Sequence, residues 1–298
     1  MMPDPNDAYA ACTAYAKAHY ENFPVGLLVS AALRPHVHAV YCFARVSDDI
    51  ADEGYADPRR PRPAGALSQE QRLAQLNAFR DEFRAWTTGA ADGDTPYAWV
   101  FRPLLLTMAK FDLPHSLFHD LLSAFEQDIV KRRYANFAEV LDYCVRSANP
   151  IGRLVLLLHG YRDERRFVWS DHICTALQLA NFWQDVAVDL VKDRIYLPQD
   201  EREKFTVSEA QLFALDATPG FRDLLKFQVR RTQEIFDQGK PLAASLRGLF
   251  SLEISLTWHG GTTILQKIRR QNYDTLTLRP KLTKWDALPL LAKALTNR

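Results

Sequence analysis

The sequence predicts an all-α protein, and two properties of its 298 residues support this prediction. Apolar residues recur at spacings of three and four along most of the chain, while the sustained alternation typical of strands is hard to find. The chain contains only 12 glycines, well below the roughly 7% usual in proteins, and a low glycine content favours long helices. We therefore expect one helical domain that spans residues 1–298.

The breaks in the helical pattern contain proline, glycine and small polar residues, which are typical of exposed loops. The break at residues 54–68 also carries Arg59, Arg60 and Arg62. Two interpretations of it stay open: a solvated surface loop, or a flap that becomes ordered over a bound anion. The predicted helices are residues 7–21, 35–54, 69–86, 97–111, 114–130, 136–160, 164–191, 220–246, 248–271 and 284–296.

Charge and cysteine content exclude several classes of protein. The 37 basic and 36 acidic residues give a formal net charge of +1, so no overall positive field is available to bind nucleic acid. The four cysteines lack the paired spacing of a zinc site or a disulfide framework. The N-terminus is acidic where a signal peptide would be basic, and no apolar run approaches the roughly 18 residues of a spanning helix. These features predict a cytoplasmic protein.

The first acidic motif lies in the predicted helix 35–54. At about 3.6 residues per turn, one stripe of that helix contains Tyr41, Arg45, Asp48 and Asp52. Asp49 points about 100° away from Asp48, but it can support the group from the edge of the stripe. The spacing therefore places two carboxylates one above the other.

A second acidic motif, in the predicted helix 164–191, ends with the same spacing. Its stripe of oxygen-bearing side chains contains Gln178, Asn181, Asp185 and Asp189. The two aspartates repel each other, and burial increases the penalty, so a cation should compensate them. The apolar residues on the rest of this helix predict that it is buried with its polar stripe toward a cavity; they are Leu179, Phe182, Val186 and Leu190.

The alternative interpretation of either stripe alone is a solvated helix face. Two stripes in one chain, one of them on an otherwise apolar helix, favour facing stripes that bind divalent cations. Magnesium fits because it prefers oxygen ligands and shares its coordination shell with water and phosphate. Neither stripe contains His or Cys, which argues against zinc.

A diphosphate bound by magnesium also needs cationic and hydrogen-bonding groups from the protein. Arg45 lies on the first stripe, and Arg194 follows the second. The hydroxyl of Tyr134 could donate to a phosphate oxygen, and His19 could contact the diphosphate. The alternatives are a surface charge for Arg194, a core residue for Tyr134 and a structural histidine for His19.

These motifs resemble those of the squalene and phytoene synthases, which join or process isoprenoid diphosphates on an all-α prenyl-synthase fold with a central cavity. The resemblance spans about residues 15–285. The matching segments are Tyr41-x-Phe43-x-Arg45-x-x-Asp48-Asp49-x-x-Asp52, Tyr134 with Tyr143-Cys144, Gln178-x-x-Asn181-x-x-x-Asp185-x-x-x-Asp189, and Arg194-x-Tyr196-Leu197-Pro198.

Within this family, the segments 19–24, 147–153 and 181–185 are most similar to the hydroxysqualene synthases of hopanoid biosynthesis. Those enzymes convert presqualene diphosphate and water to hydroxysqualene and diphosphate. Two differences from other members agree with this branch: Gln184 stands where many relatives carry Arg, and Gly261 where many carry Tyr. We expect the first to remove a phosphate-binding charge and the second to leave room for a water molecule.

The resemblance implies a role for each matched residue. The cofactor would be magnesium, or manganese in its place, and NADPH would not be needed. The implied metal ligands are Asp48, Asp52, Asn181, Asp185 and Asp189. Catalytic roles fall on the four aspartates, Tyr41 and Tyr134, and substrate-binding roles fall on His19, Phe23, Arg45, Gln178, Arg194 and Tyr196.

The implied partners follow from an isoprenoid diphosphate substrate. They are the enzymes that make presqualene diphosphate and reduce hydroxysqualene. So apolar a substrate also implies contact with the inner face of a membrane, for which segments 220–246 and 285–298 are candidates. Two alternatives stay open: a presqualene diphosphate or phytoene synthase that condenses two prenyl diphosphates, and a non-catalytic lipid-binding or assembly protein on the same fold.

We predict that activity requires a divalent cation. Asp48→Ala and Asp185→Ala should each lower turnover by orders of magnitude while the fold stays intact, because loss of one carboxylate relieves local repulsion. Turnover with and without excess chelator, combined with circular dichroism of both variants, measures these effects. Full activity in chelator or in either variant would contradict a metal-binding role for the stripes.

Overall fold

The protein is described here by a computed structural model that covers residues 5–18, 29–52 and 67–296. Regular structure in these ranges is helical, apart from one isolated parallel bridge between Arg133 and Ile195. The all-α prediction is therefore confirmed. Because residues 53–66 lie outside the described ranges, the interpretation of the arginine-rich loop stays a prediction.

The chain divides into two compact units. The first comprises residues up to 130 together with 153–162, and the second comprises 131–152 together with 163–298. Helix α7 contributes residues to both. The helices of the first unit are α1 (Pro5–Ala18), α2 (Arg34–Asp52), α3 (Gln69–Thr88), α4 (Ala98–Phe111), α5 (His115–Val130) and the last part of α7 (Asn149–Leu158).

The second unit is organised around α8, which packs along α12. At the end of α8 the indole of Trp183 is fully buried, and its Nε1 donates a 2.8 Å hydrogen bond to Thr232 Oγ1 on α12. The remaining helices are α6 (Phe137–Ser147), α8 (Glu164–Gln184), α9 (Val186–Val191), α10 (Gln199–Lys204), α11 (Glu209–Phe213), α12 (Pro219–Gly239), α13 (Pro241–Ser245), α14 (Gly248–Arg270) and α15 (Lys284–Thr296).

Three predicted helices are each split in two. The predicted helices 136–160 and 220–246 divide just before Pro150 and Pro241, because proline restricts the residue before it, cannot donate a helical hydrogen bond and is best accommodated in the first turn of a helix. The predicted helix 164–191 divides at Asp185, whose backbone is no longer helical (φ −105°, ψ 15°). The short helices α10 and α11 were not predicted, since five or six residues show no clear periodicity.

An aromatic cluster forms the centre of the first unit. The ring of Phe43 on α2 lies 5.1 Å from Phe83, 5.2 Å from Phe118 and 5.5 Å from Phe79, measured between ring centroids. All four side chains are fully buried. Since Phe43 lies about one and a half turns before the first acidic residue of α2, this cluster anchors the part of the helix that carries the acidic stripe.

We predict that Phe43→Ala lowers the free energy of unfolding by about 3–5 kcal/mol, because it removes a fully buried ring and leaves a cavity. Urea denaturation measures the change. Leu106→Ala on α4 is the control, since that leucine is 42% exposed and its truncation should cost less than about 0.5 kcal/mol. Equal effects of the two substitutions would show that the cluster is not central to the unit.

Candidate active site

The acidic stripe of the first unit lies on the less buried face of α2. The opposite face of this helix is buried and includes Val40, Phe43 and Ile50. The stripe residues themselves are half-buried, and the structure therefore places them on one face as the spacing predicts. They are Tyr41, Arg45, Asp48 and Asp52.

Arg45 forms ion pairs with the two aspartates that follow it. Its Nη2 lies 2.8 Å from Asp49 Oδ1, and its Nη1 lies 3.6 Å from Asp48 Oδ2. Asp49 also accepts a 2.6 Å hydrogen bond from the hydroxyl of Tyr15 on α1. Burial and this carboxylate together raise the pKa of Tyr15 above its usual value. Two partners thus hold Asp49 at the edge of the stripe. One of them, Tyr15, was not predicted from the sequence.

The Nε of Arg45 is buried and has no hydrogen-bond partner among the residues that the structure describes. A buried guanidinium N–H normally has an acceptor, because an unsatisfied donor costs free energy. An anionic oxygen beside α2 would supply that acceptor. This atom therefore fits the prediction that Arg45 binds a phosphate group.

The carboxyl group of Asp48 is in a strongly negative environment. Its removal from solvent, reinforced by the charges of Asp52, Asp128 and Asp49, raises its pKa to about 7, although Arg45 acts in the opposite direction. Asp128 is a buried residue of α5 that the sequence analysis missed. Because these carboxylates disfavour one another's ionised form, the group favours binding of a cation.

In the second unit, the acidic stripe continues through the break between α8 and α9. The amide of Asp185 donates to the carbonyl of Asn181, and the amide of Asp189 donates to the carbonyl of Asp185, each at 2.9 Å. The Asn181 side chain donates a further 2.8 Å hydrogen bond to Asp185 Oδ2. Gln178 is half-buried one turn earlier, and the four stripe residues therefore keep their helical order.

Arg279 is the partner of Asp185 that the sequence analysis missed. Its Nε donates to Asp185 Oδ1, and its Nη2 donates to Asp185 Oδ2 at 3.0 Å. The adjacent Pro280 carbonyl accepts a 2.7 Å hydrogen bond from Gln184 Nε2. Arg279 thus supplies a positive charge where Gln184 lacks one. Asp185→Ala would leave this arginine without its carboxylate partner, in addition to relieving the repulsion between Asp185 and Asp189.

A small pocket lies directly beyond the second stripe. It combines one acidic residue, one buried arginine and aromatic rings. Phe182 and Tyr196 stack with their ring centroids 3.7 Å apart, and Tyr134 stacks on Tyr196 at 5.3 Å. The residues that line the pocket are Phe182, Val186, Asp189, Leu190, Arg194, Ile195, Tyr196 and Leu197.

The expected space at Gly261 is absent. A Cβ atom at this position would overlap Phe236 Cζ and lie 2.8 Å from Leu177 Cδ2. Phe236 and Leu177 fill the volume beside the glycine, so the prediction that it leaves room for a water molecule is wrong. His19 and Phe23 lie outside the described residues, and their roles stay predictions.

Both stripes offer carboxylate pairs instead of a complete metal-binding cage. Among residues 5–18, 29–52 and 67–296, no three His, Cys, Asp or Glu side chains are arranged to hold a metal ion on their own. Magnesium is commonly bound by one or two carboxylates, with water and substrate phosphate completing its shell. The oxygen-only donors, the negative surroundings of Asp48 and the unpartnered Arg45 Nε fit magnesium with a bound diphosphate.

Comparison with known proteins identifies the family. The squalene/phytoene synthase family model matches residues 16–286. The chain belongs to this family. The family acts on isoprenoid diphosphates.

Several relatives of this squalene/phytoene synthase cover nearly its whole length. A hydroxysqualene synthase of Zymomonas mobilis is 34% identical, covering 98% of this chain and 93% of the relative. One from Rhodopseudomonas palustris is 31% identical, with coverage of 88% and 83%. The crystal structure of squalene synthase HpnC from Alicyclobacillus acidocaldarius matches with a TM-score of 0.79 and 36% identity, covering 91% of this chain and 96% of that one.

We predict that Asp48 makes the metal-free protein less stable as the pH rises. Its pKa is about 7 in the folded chain against an ordinary 3.8, so between these values the unfolded state ionises first and is favoured. Because 39% of the side chain contacts solvent, screening reduces the effect to about 1 kcal/mol.

Asp48→Asn should therefore raise the free energy of unfolding by about 1 kcal/mol near pH 8 and leave it unchanged near pH 4. Denaturation in chelator across this pH range measures the difference. The control is Asp81→Asn, which changes an exposed carboxylate of α3. A gain in stability that does not depend on pH would contradict the raised pKa.

Proposed function

We propose that the protein is a hydroxysqualene synthase, which ionises presqualene diphosphate with magnesium and captures the rearranged cation with water. The observation that carries the proposal is the cluster of carboxylates around Asp48 beside the unpartnered Nε of Arg45. A half-buried group of carboxylates and an unsatisfied guanidinium donor together match a metal ion that carries a diphosphate. The names and coverage of the 34% and 31% identical relatives support this choice of reaction.

Magnesium, when bound, acts as a Lewis acid that stabilises the departing diphosphate. The residues that would hold such an ion are Asp48 and Asp52 in the first unit; in the second unit, Asp185 and Asp189 with Asn181 would hold one as well. The carboxylate form of Asp48 binds metal, and the raised pKa means that this form appears only as the pH rises through about 7. Binding should therefore become stronger as the pH rises through about 7.

The arginines bind the leaving group. Arg45 directs its Nε toward a phosphate oxygen, and Arg194 contributes a second charge from the pocket of the second unit. When substrate is present, Arg279 leaves Asp185 and donates to a phosphate oxygen instead. A guanidinium group can do this because it donates paired hydrogen bonds to carboxylate and to phosphate in the same geometry. The ion pair seen in the structure thus keeps a phosphate-binding group in place before substrate arrives.

The aromatic residues of the pocket suit a carbocation intermediate. Phe182 and Tyr196 line the pocket and stack on each other, and Tyr134 stacks on Tyr196. The three rings are buried, and aromatic π faces carry negative potential that favours a cation. Such an environment lets the cation rearrange before water captures it.

A second candidate function is the condensation of two prenyl diphosphates. The 36% identical crystal structure carries the name squalene synthase, and a phytoene synthase of Synechococcus elongatus is 26% identical over 97% of this chain. Gln184 lacks the positive charge of the arginine that many relatives carry, and this difference argued against binding of two diphosphates. Arg279 places a positive charge beside the second stripe and so weakens that objection. Product analysis distinguishes the two reactions.

We predict that presqualene diphosphate and magnesium give hydroxysqualene without NADPH, and that farnesyl diphosphate is turned over poorly. Arg279→Met should lower kcat/KM by about tenfold to a hundredfold, because a charged hydrogen-bond donor to phosphate is lost. Chromatography with mass spectrometry of the products measures both. Arg84→Met is the control, since Arg84 is 64% exposed on α3.

Efficient formation of presqualene diphosphate from farnesyl diphosphate would favour the condensing enzyme. Squalene that forms only with NADPH would have the same meaning. Absence of any product from either substrate, with a folded protein and magnesium present, would favour the lipid-binding or assembly alternative.

A further inference from the structure

Ser147, the last residue of α6, carries a buried hydroxyl that has no hydrogen-bond partner among the residues that the structure describes. A serine within a helix can donate to the carbonyl four residues earlier, here that of Tyr143. Ser147 does not form this bond. Because a buried hydroxyl without a partner costs free energy, α6 ends at an unsatisfied polar atom.

The backbone beside this hydroxyl is interrupted as well. Pro150 has no N–H group and divides α6 from α7. Directly after it, the amide of Ile151 donates a 3.2 Å hydrogen bond to the carbonyl of Ala148, three residues earlier. In an uninterrupted helix that amide would donate to the carbonyl of Ser147, four residues earlier. The break therefore leaves both the side-chain oxygen and the carbonyl oxygen of Ser147 open to another donor.

Ser147 lies one helical turn from the aromatic rings of the pocket. It follows Tyr143 by four residues on the buried face of α6, and residues at this spacing have their Cβ atoms about 5–6 Å apart. The Tyr143 ring lies 5.8 Å from that of Phe182 and 5.9 Å from that of Tyr196, measured between centroids. Phe182 and Tyr196 line the pocket. The open oxygens of Ser147 are thus close to the rings that suit a carbocation.

We propose that Ser147 binds the water molecule that captures the carbocation, and this inference rests on the proposed hydroxysqualene synthase reaction. The water donates one hydrogen to the hydroxyl oxygen and the other to the carbonyl oxygen of Ser147, since both atoms carry lone pairs. Buried waters are held by two to four such polar partners. Two donated hydrogen bonds leave a lone pair of the water oxygen directed away from α6.

The capture step balances with this single water. Departure of diphosphate leaves the cation, and the lone pair of the bound water forms the new carbon–oxygen bond. The oxygen then loses one proton to the released diphosphate, the base that the reaction itself supplies. Val140 and Cys144 on the same buried face of α6 offer no strong hydrogen bond to water. One bound water, instead of bulk solvent, gives the cation time to rearrange before capture.

Product partition tests the proposal with the full chain, magnesium and presqualene diphosphate. A cation that water does not capture loses a proton and gives an alkene, so the ratio of alcohol to alkene measures capture. Ser147→Val fills the water site with methyl groups and should lower this ratio by about tenfold or more. Release of diphosphate should stay near the wild-type rate, because ionisation precedes capture. Where Ser147→Val does not fold, Ser147→Ala removes the hydroxyl without added volume and should lower the ratio in the same direction.

Three further measurements separate a water-binding role from a structural one. Ser147→Thr keeps the hydroxyl and should retain the wild-type ratio. Ser251→Ala is the matched control and should also retain it, since this buried serine of α14 already donates a 2.8 Å hydrogen bond to the Ala243 carbonyl. A crystal structure of the protein without substrate should show a water oxygen within about 3.2 Å of both Ser147 oxygens, and the Ser147→Val structure should lack it.

An unchanged ratio of alcohol to alkene in the folded Ser147 variants, or an equal loss of alcohol in Ser251→Ala, would overturn the proposal. A wild-type crystal structure in which Ser147 donates to the Tyr143 carbonyl and binds no water would also overturn it. A wild-type protein that forms no alcohol from presqualene diphosphate would instead contradict the proposed function itself.

Discussion

The candidate site depends on one constraint: aspartate side chains are held beside a hydrophobic core, where their charge is only partly solvated. A charged group removed from water is costly unless another charge or a set of hydrogen bonds compensates it. In this protein the helices that carry the aspartates are fixed by large buried rings, Phe43 in the first unit and Trp183 in the second. The apolar packing that specifies the fold therefore also forces the acidic side chains into places where a cation is favourable.

The two units compensate their aspartates differently. On α2, Asp48 shares its surroundings with other carboxylates and keeps a raised pKa, while Arg45 binds mainly to Asp49. On α8, Asp185 is already paired with Arg279 and hydrogen-bonded by Asn181. A metal ion would thus relieve repulsion in the first unit but replace an existing ion pair in the second.

Much of this arrangement could be predicted from the sequence, since periodicity alone places each stripe on one helix face. The fold class followed from the same periodicity. Arg279 and Asp128 could not be predicted, because each approaches its stripe from a helix or loop that is distant in the sequence and carries no motif. Gly261 was misjudged for a related reason: the absence of a side chain says nothing about which neighbours, here Phe236 and Leu177, fill the volume.

The loop between α14 and α15 connects Arg279, the partner of Asp185, to the start of α15. Only residues 280–283 separate Arg279 from the first residue of α15, and an extended chain covers at most about 3.6 Å per residue. Gln184 holds this loop at Pro280, next to the arginine. The start of α15 and the Arg279 guanidinium therefore lie within a few residues of each other along the chain. The ion pair of Arg279 with Asp185 and the beginning of an otherwise exposed helix thus share one short segment of backbone.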